Sequence, residues 1–202
     1  MSEPEAVPES LSKSDWAKNL SSACLDALQE KERAILCLTG QPGAGKSTLG
    51  KQIRKQGLPG IPRSRIAVID DGVLSVPLLG IFNRRVKSLG NSLDELAPFE
   101  PYLAGKQLVV YISSRPERRL SACDIVVRVR CNEEERRQRL LARNKDGEER
   151  YRRSLNQTDS IKIPYNRFFD FLYSEPTNES ALQQNLGRLA HILVATAAQV
   201  CD

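Results

Sequence analysis

Eight consecutive residues, Gly40-Gln41-Pro42-Gly43-Ala44-Gly45-Lys46-Ser47, match the pattern G-x-x-x-x-G-K-[ST] in full. The chemistry of that pattern is oxyanion binding. Glycines let the backbone curl so that successive N–H groups face one phosphate, and a helix starting at the lysine adds the positive end of its dipole. Lys46 is placed to reach β- and γ-phosphates and Ser47 to ligate Mg²⁺. Gly40, Gly43, Ala44, Gly45 and Thr48 complete the cradle. From average residue usage the pattern arises by chance in roughly one chain in a hundred of this length.

Two acids supply a second chemical signal. Asp70 and Asp71 close the run IAVIDD, at the expected C-terminal end of a strand, where parallel sheets carry their sites. An acid there can orient or deprotonate an acceptor hydroxyl. Asp71 is slightly preferred as the base, with Asp70 holding a metal-bound water. The plainer reading is a polar turn, because Asp-Gly is favourable turn chemistry.

Arginines supply a third. Arg136, Arg139 and Arg143 stand at i, i+3 and i+7, on one helix face, and Arg150, Arg152 and Arg153 follow. Phosphoryl transfer spreads negative charge over equatorial oxygens, which closing arginines stabilise. Arg139 and Arg143 are the leading candidates, against a solvated basic face for any one of them. Ser113-Ser114-Arg115 is a weaker candidate for facing the substrate.

The elements needed to position these groups can be read around them. Ala34 to Thr39 (AILCLT) is a continuous apolar run of the buried parallel-strand type. Lys46 to Gln56 reads as a helix stopped by Gly57. Further strands are expected at Arg65–Ile69, Leu108–Ile112 and Asp124–Val129. Asn132 reads as a helix N-cap with Glu135 at the capping-box position, ahead of a helix that runs from glutamates to arginines.

Outside this framework, residues 1–13 read as a disordered tail, followed by a helix from about Ser14 with Trp16, Leu20, Cys24, Ala27 and Leu28 inward. Asn83 to Leu89 is a candidate helix, and its Arg84, Arg85 and Lys87 hint at an anionic acceptor, with a solvated helix face as the plainer reading. Residues 144–178 read as polar and irregular, with a short helix near Tyr151 and an aromatic cluster at Tyr165, Phe168, Phe169 and Phe171. A long amphipathic helix is expected from about Glu179, with Leu182, Leu186, Leu189, Leu193 and Ala197 inward. The alternation of short strands and helices implies an α/β three-layer sandwich with a mostly parallel sheet. The expected organisation is one domain over 14–202 with a helical lid at about 143–165.

Composition narrows the function classes. No apolar run approaches the ~18 residues of a membrane helix, and the acidic, proline-containing start is unlike a secretory signal, so the expected location is cytoplasmic. The five cysteines include no C-x-x-C pair, and His191 is the only histidine. That sets aside Ser-His-Asp and Cys-His catalysis. Net charge is +5, with ten Lys/Arg against six Asp/Glu between Arg128 and Arg153. Stacking aromatics are not interleaved with these charges, which speaks against nucleic acid. A phosphate-rich small ligand fits them better.

A phosphate loop leaves the fate of the phosphate open. A GTPase switch calls for Asn-Lys-x-Asp, but in Asn144-Lys145-Asp146-Gly147 the aspartate comes one position early. An ATPase motor calls for four apolar residues ending in Asp-Glu, which IAVIDD does not provide, and a chain of 202 residues leaves little room for motor machinery. A small-molecule kinase remains. The non-enzymatic alternative is a nucleotide-dependent regulator that switches partners.

With GQPGAGKSTL (Gly40–Leu49), AVIDDGVL (Ala67–Leu74) and DIVVRVRCNEEERRQRLLAR (Asp124–Arg143), the chain resembles the P-loop small-molecule kinases, in the branch of uridine kinase, pantothenate kinase and glycerate kinase. The resemblance implies a Mg²⁺-ATP-dependent kinase acting on a hydroxyl of a small polar acceptor; composition adds the expectation of no membrane partner and makes a nucleic-acid partner unexpected. The resemblance places the acceptor-facing acid at Asp71 and the arginine at the start of the lid at Arg143. Departures are Val73 where an aromatic is frequent, Ser113-Ser114 where Glu-Gly is frequent, and no recognisable final strand. The loop GQPGAGKST also resembles that of zeta-toxin kinases, which act on amino-sugar nucleotides.

Overall fold

The computed structural model describes residues 8–78, 82–87, 96–118, 120–143, 146–156 and 161–173. The elements in chain order are β1 (Glu9–Leu11), α1 (Trp16–Glu30), β2 (Ala34–Thr39), α2 (Lys46–Gln56), β3 (Ile66–Asp70), β4 (Val73–Leu78), β5 (Phe82–Lys87), β6 (Leu108–Ile112), β7 (Ile125–Arg130), α3 (Glu133–Arg143), α4 (Gly147–Leu155) and β8 (Arg167–Leu172). They build one eight-stranded sheet in the order β1-β8-β7-β2-β6-β3-β4-β5. Pairing is parallel from β1 to β3 and antiparallel for β4 and β5.

The order follows from what each strand buries. The β2 and β6 runs are apolar on both faces, so they occupy the centre, where water reaches neither side, and β7 beside β2 is apolar up to Arg128 and Arg130 in its second half. On one face Leu36, Leu38, Val110, Ile112 and Val127 meet Leu20 and Cys24 of α1 and Leu49 and Ile53 of α2. On the other, Cys37, Val109, Tyr111 and Val126 meet Phe99, Leu103 and Leu120. Each fully buried leucine or isoleucine contributes about 2 kcal/mol. Among the described residues the second face is covered by 3₁₀ and irregular segments rather than by an α-helix.

Asp124 fixes the entry of β7. Its carboxylate accepts the Ile35 N–H at 2.7 Å and pairs with the Lys31 ammonium, while its carbonyl accepts the N–H groups of Asn166 and Arg167. One nearly buried acid thereby registers β2, β7 and the start of β8.

Several expectations need correction. The tail stops short of residue 13, because Glu9–Leu11 pairs with Phe169–Phe171 and Leu11 is buried. Residues 83–87 of the expected helix belong to β5, where Val86 and Arg84 pair across to Leu74 and Val76. The missing final strand is β8, formed from the aromatic cluster. Phe168 faces one side of the sheet while Phe169 and Phe171 serve the other. Asn132 does cap α3, accepting the Glu134 N–H at 2.9 Å, but Glu135 pairs with Arg139 instead of closing a capping box. The expected C-terminal amphipathic helix lies outside the described residues.

Candidate functional site

The phosphate loop joins the end of β2 to the start of α2. Gly40, Gly43 and Gly45 have φ of 127°, 86° and 106°. At Gly40 the requirement is also steric, since a Cβ there would collide with the carbonyl oxygen of Val129 on β7. Ala44 is buried, and its N–H donates to the Gln41 carbonyl at 3.2 Å, closing the loop's turn. Lys46 folds back over the loop, its ammonium donating to the carbonyls of Gly40 at 2.6 Å and Gln41 at 2.9 Å. Ser47 is half-buried and Thr48 exposed on the first turn of α2. No acid stands in that turn, so the positive end of the helix is left for an anion.

A cavity of about 320 Å³ opens beside the loop. It is lined by Ser47, Lys51 and Arg54 of α2, by Val68, Asp70 and Asp71 at the end of β3, by Val73, Ser75 and Arg85 of the β4–β5 hairpin, and by Ile112 of β6. β6 separates β3 from β2, so the acids stand two strand spacings, about 10 Å, from the strand that feeds the loop. That span leaves room for a phosphoryl group and an acceptor hydroxyl between Ser47 and the carboxylates.

The two acids occupy different backbone environments. Asp70 is the last residue of β3 and pairs with Val73. Asp71 and Gly72 form the two-residue connection to β4, with φ of 48° and 72°, and Asp71 is the one non-glycine with positive φ among the described residues. Positive φ at both central positions is the requirement of a type I′ hairpin turn, for which Asp-Gly is a preferred sequence. The Asp71 N–H also donates to the Ile112 carbonyl at 3.1 Å, which ties the turn to the end of β6. The turn and the cavity therefore use the same residue.

Two of the arginines, Arg136 and Arg139, reach the loop; Arg139 does so from the face of α3 next to Tyr173. It approaches the Gly43 carbonyl at 3.5 Å, pairs with Glu135 at 3.2 Å and stacks over Tyr173 at 5.6 Å. Arg143 is exposed at the C-terminal end of α3. Arg136, whose role the sequence did not single out beyond its helix face, is 2% exposed and holds the region together. It donates to Ser154 Oγ at 2.6 Å and to Glu133, approaches the Pro42 carbonyl at 3.5 Å, and stacks on Tyr151. Through it α4 docks on α3 and α3 meets the phosphate loop. Arg150, Arg152 and Arg153 pair with Asp146, Glu148 and Glu149 along α4. Much of the basic excess is thus neutralised locally.

Tyr173, just past β8, was not anticipated. A Cβ added at Gly45 would come within 2.6 Å of its ring, so the ring covers the loop from the β8 side. Only the tertiary fold brings it there. Arg85 stands in the sequence together with Arg84 and Lys87, but reads there as a solvated helix face first, because three charged residues among six obscure the period-two alternation. Lys51 and Arg54, in contrast, stand at i+4 and i+7 from Ser47, a spacing open to sequence reading.

The donor set suits Mg²⁺. This ion keeps several waters and takes one or two protein oxygens besides phosphate. The Ser47 hydroxyl and the Asp70 carboxylate line the same cavity and would supply them. Among the described residues no helix is long and apolar enough to cross a membrane.

A family model described as an AAA domain matches residues 36–159. The match spans more than half of the chain, and the chain belongs to this P-loop NTPase-like family. No curated protein matches the chain. The protein contains a P-loop nucleotide-binding domain, a class that typically takes its nucleotide with Mg²⁺.

Proposed function

We propose that the domain is a Mg²⁺-ATP-dependent kinase that transfers the γ-phosphoryl group to a hydroxyl of a small polar metabolite. The observation that carries this reading is the single cavity joining Ser47 of the phosphate loop to Asp70 and Asp71. A hydrolytic switch needs room for one water there; 320 Å³ is the size of a small-ligand site. The resemblance to the uridine kinase, pantothenate kinase and glycerate kinase branch supports the same reaction, and the family is one that includes kinases.

The chain's own residues would act as follows. The loop N–H groups and Lys46 bind the β- and γ-phosphates, with Lys46 exchanging its contacts to Gly40 and Gln41 for phosphate oxygens. Mg²⁺, held by Ser47 and Asp70, would neutralise phosphate charge. Asp71 orients the acceptor hydroxyl and takes its proton as the acceptor oxygen bonds to the γ-phosphorus. The bond from that phosphorus to the β-phosphate oxygen breaks, ADP leaves, and the proton passes from Asp71 to solvent. Arg139 stabilises the charge on the transferring group from the α3 side, and Arg143 would join it from the end of that helix.

The test is ATP consumption with Mg²⁺ across nucleosides, sugars, sugar acids and cofactor precursors, with Lys46→Ala as control. Stimulation by an acceptor that disappears in Lys46→Ala is the expected result. Nucleotide binding without stimulation by any acceptor would favour a nucleotide-dependent regulator instead.

A further inference from the structure

The cavity is more cationic than transfer to a neutral acceptor requires. Lys51, Arg54 and Arg85 line it against two carboxylates, Asp70 and Asp71. Lys51 and Arg54 share the face of α2 that begins at Ser47. At about 1.5 Å rise per residue they stand about 6 Å and about 10 Å along the helix from Ser47, leading away from the phosphate loop.

Arg85 arrives from a different element, the β4–β5 hairpin. Its cross-strand partner is Ser75, which also lines the cavity, and directly opposed residues project to one face of an antiparallel pair. Lys87, opposite Val73, belongs to the same face by the strand's period of two, whereas Arg84 belongs to the other. Two unrelated elements thus aim cations into one space. Arginines elsewhere in the described chain mostly meet carboxylates, as Arg128 meets Asp170 and Arg136 meets Glu133. Among the described residues no ion pair engages Lys51, Arg54 or Arg85. Guanidinium forks from two elements lining one cavity suit a carboxylate or a phosphate, whose oxygens accept paired hydrogen bonds.

We infer that the acceptor carries an anionic group, carboxylate or phosphate, besides its hydroxyl, and that Arg54 and Arg85 hold it, with Lys51 lying between that group and the transferring phosphoryl. The hydroxyl half of this statement rests on the kinase reading; the anion site does not.

Two measurements on the full chain test it. In the first, inorganic phosphate, D-glycerate and glycerol 3-phosphate are titrated calorimetrically into protein saturated with ADP and Mg²⁺, so that the phosphate loop is already filled. In the second, ATP consumption is measured with glycerol, D-glycerate and glycerol 3-phosphate, which share three carbons and differ in their anion. At least one anion should bind the ADP-loaded chain, with affinity reduced about tenfold or more in Arg54→Gln and in Arg85→Gln and ADP affinity unchanged. A response to D-glycerate alone assigns a carboxylate, and a response to the phosphates alone assigns a phosphate. Anion binding that is lost in the variants, with no acceptor stimulating ATP consumption, would keep the anion site and overturn the kinase reading. Stimulation by glycerol equal to that by the anions, anion binding indifferent to both variants, or no anion binding at all would overturn the anion site and leave the kinase reading standing.

Discussion

Replacing Asp71 by asparagine separates the two roles its position gives it. Asp71 and Gly72 both have positive φ, as a type I′ turn demands. Asn-Gly satisfies that turn at least as well as Asp-Gly, so Asp71→Asn should change stability by less than about 0.5 kcal/mol. Alanine lacks the local hydrogen bonds that make φ of 48° tolerable, and Asp71→Ala should cost about 1 kcal/mol, or about 2–4 °C in Tm for a chain of this size. Asp71→Gly should fall near neutral, because relief of the left-handed conformation is offset by a more flexible unfolded chain. All three variants remove the carboxylate. If Asp71 is the base, each should lower kcat by about 10²- to 10⁴-fold, which is about 2.7–5.4 kcal/mol in the barrier, with ATP affinity preserved. Urea unfolding and steady-state turnover on the same preparations read both quantities. Near-normal turnover in Asp71→Asn, with Asp70→Asn inactive, would move the base to Asp70. Activity that follows stability across the three variants would reduce Asp71 to a turn residue.

Other perturbations probe the scaffold. Arg136→Met should destabilise the protein by about 2–4 kcal/mol, because it strips the buried contacts that join α3, Ser154 and the loop at Pro42. Arg136→Lys should not restore it, lacking the planar fork; unfolding within 0.5 kcal/mol of the parent chain would contradict the proposed docking. Burial pushes the Cys24 thiol up to about 12 from an ordinary 9.0, and a hydrogen bond with Cys123, followed by burial, raises Cys37 as well. Above pH 9 the unfolded chain then loses protons that the folded chain keeps, so stability falls as pH rises, by about 1.4 kcal/mol per pH unit for each thiol. Cys24→Ala should flatten that fall by one such increment between pH 9 and pH 10.5, and parallel curves for the two proteins would contradict the assignment.

The sequence made the centre of the sheet legible because its residues answer to one constraint. β2 and β6 are buried on both faces, so continuous apolar runs mark them, and Ala34–Thr39 and Leu108–Ile112 are found at their full lengths. The phosphate loop was legible because its backbone demands particular residues at particular spacings. The sheet margins obey several constraints at once. In β8 Arg167 pairs with Glu9 and Asp170 with Arg128, so charges interrupt the apolar pattern. In β5 three basic residues among six suggested a helix face, and only the cross-strand pairing to β4 shows which of them meet the cavity. Tyr173 over Gly45 could not be anticipated, because more than a hundred residues separate them in the chain. The candidate acids were identified, but their local geometry, a hairpin turn with one residue inside it and one at its edge, came from the structure.

The central claim is phosphoryl transfer to a metabolite rather than to water. The most direct measurement is ³¹P NMR of a reaction mixture containing the protein, Mg²⁺-ATP and the acceptor that most stimulates ATP consumption. The account predicts a new phosphate ester of that acceptor formed one-for-one with ADP, and absent with Lys46→Ala. ADP accompanied only by inorganic phosphate, at a rate indifferent to every acceptor, would contradict it.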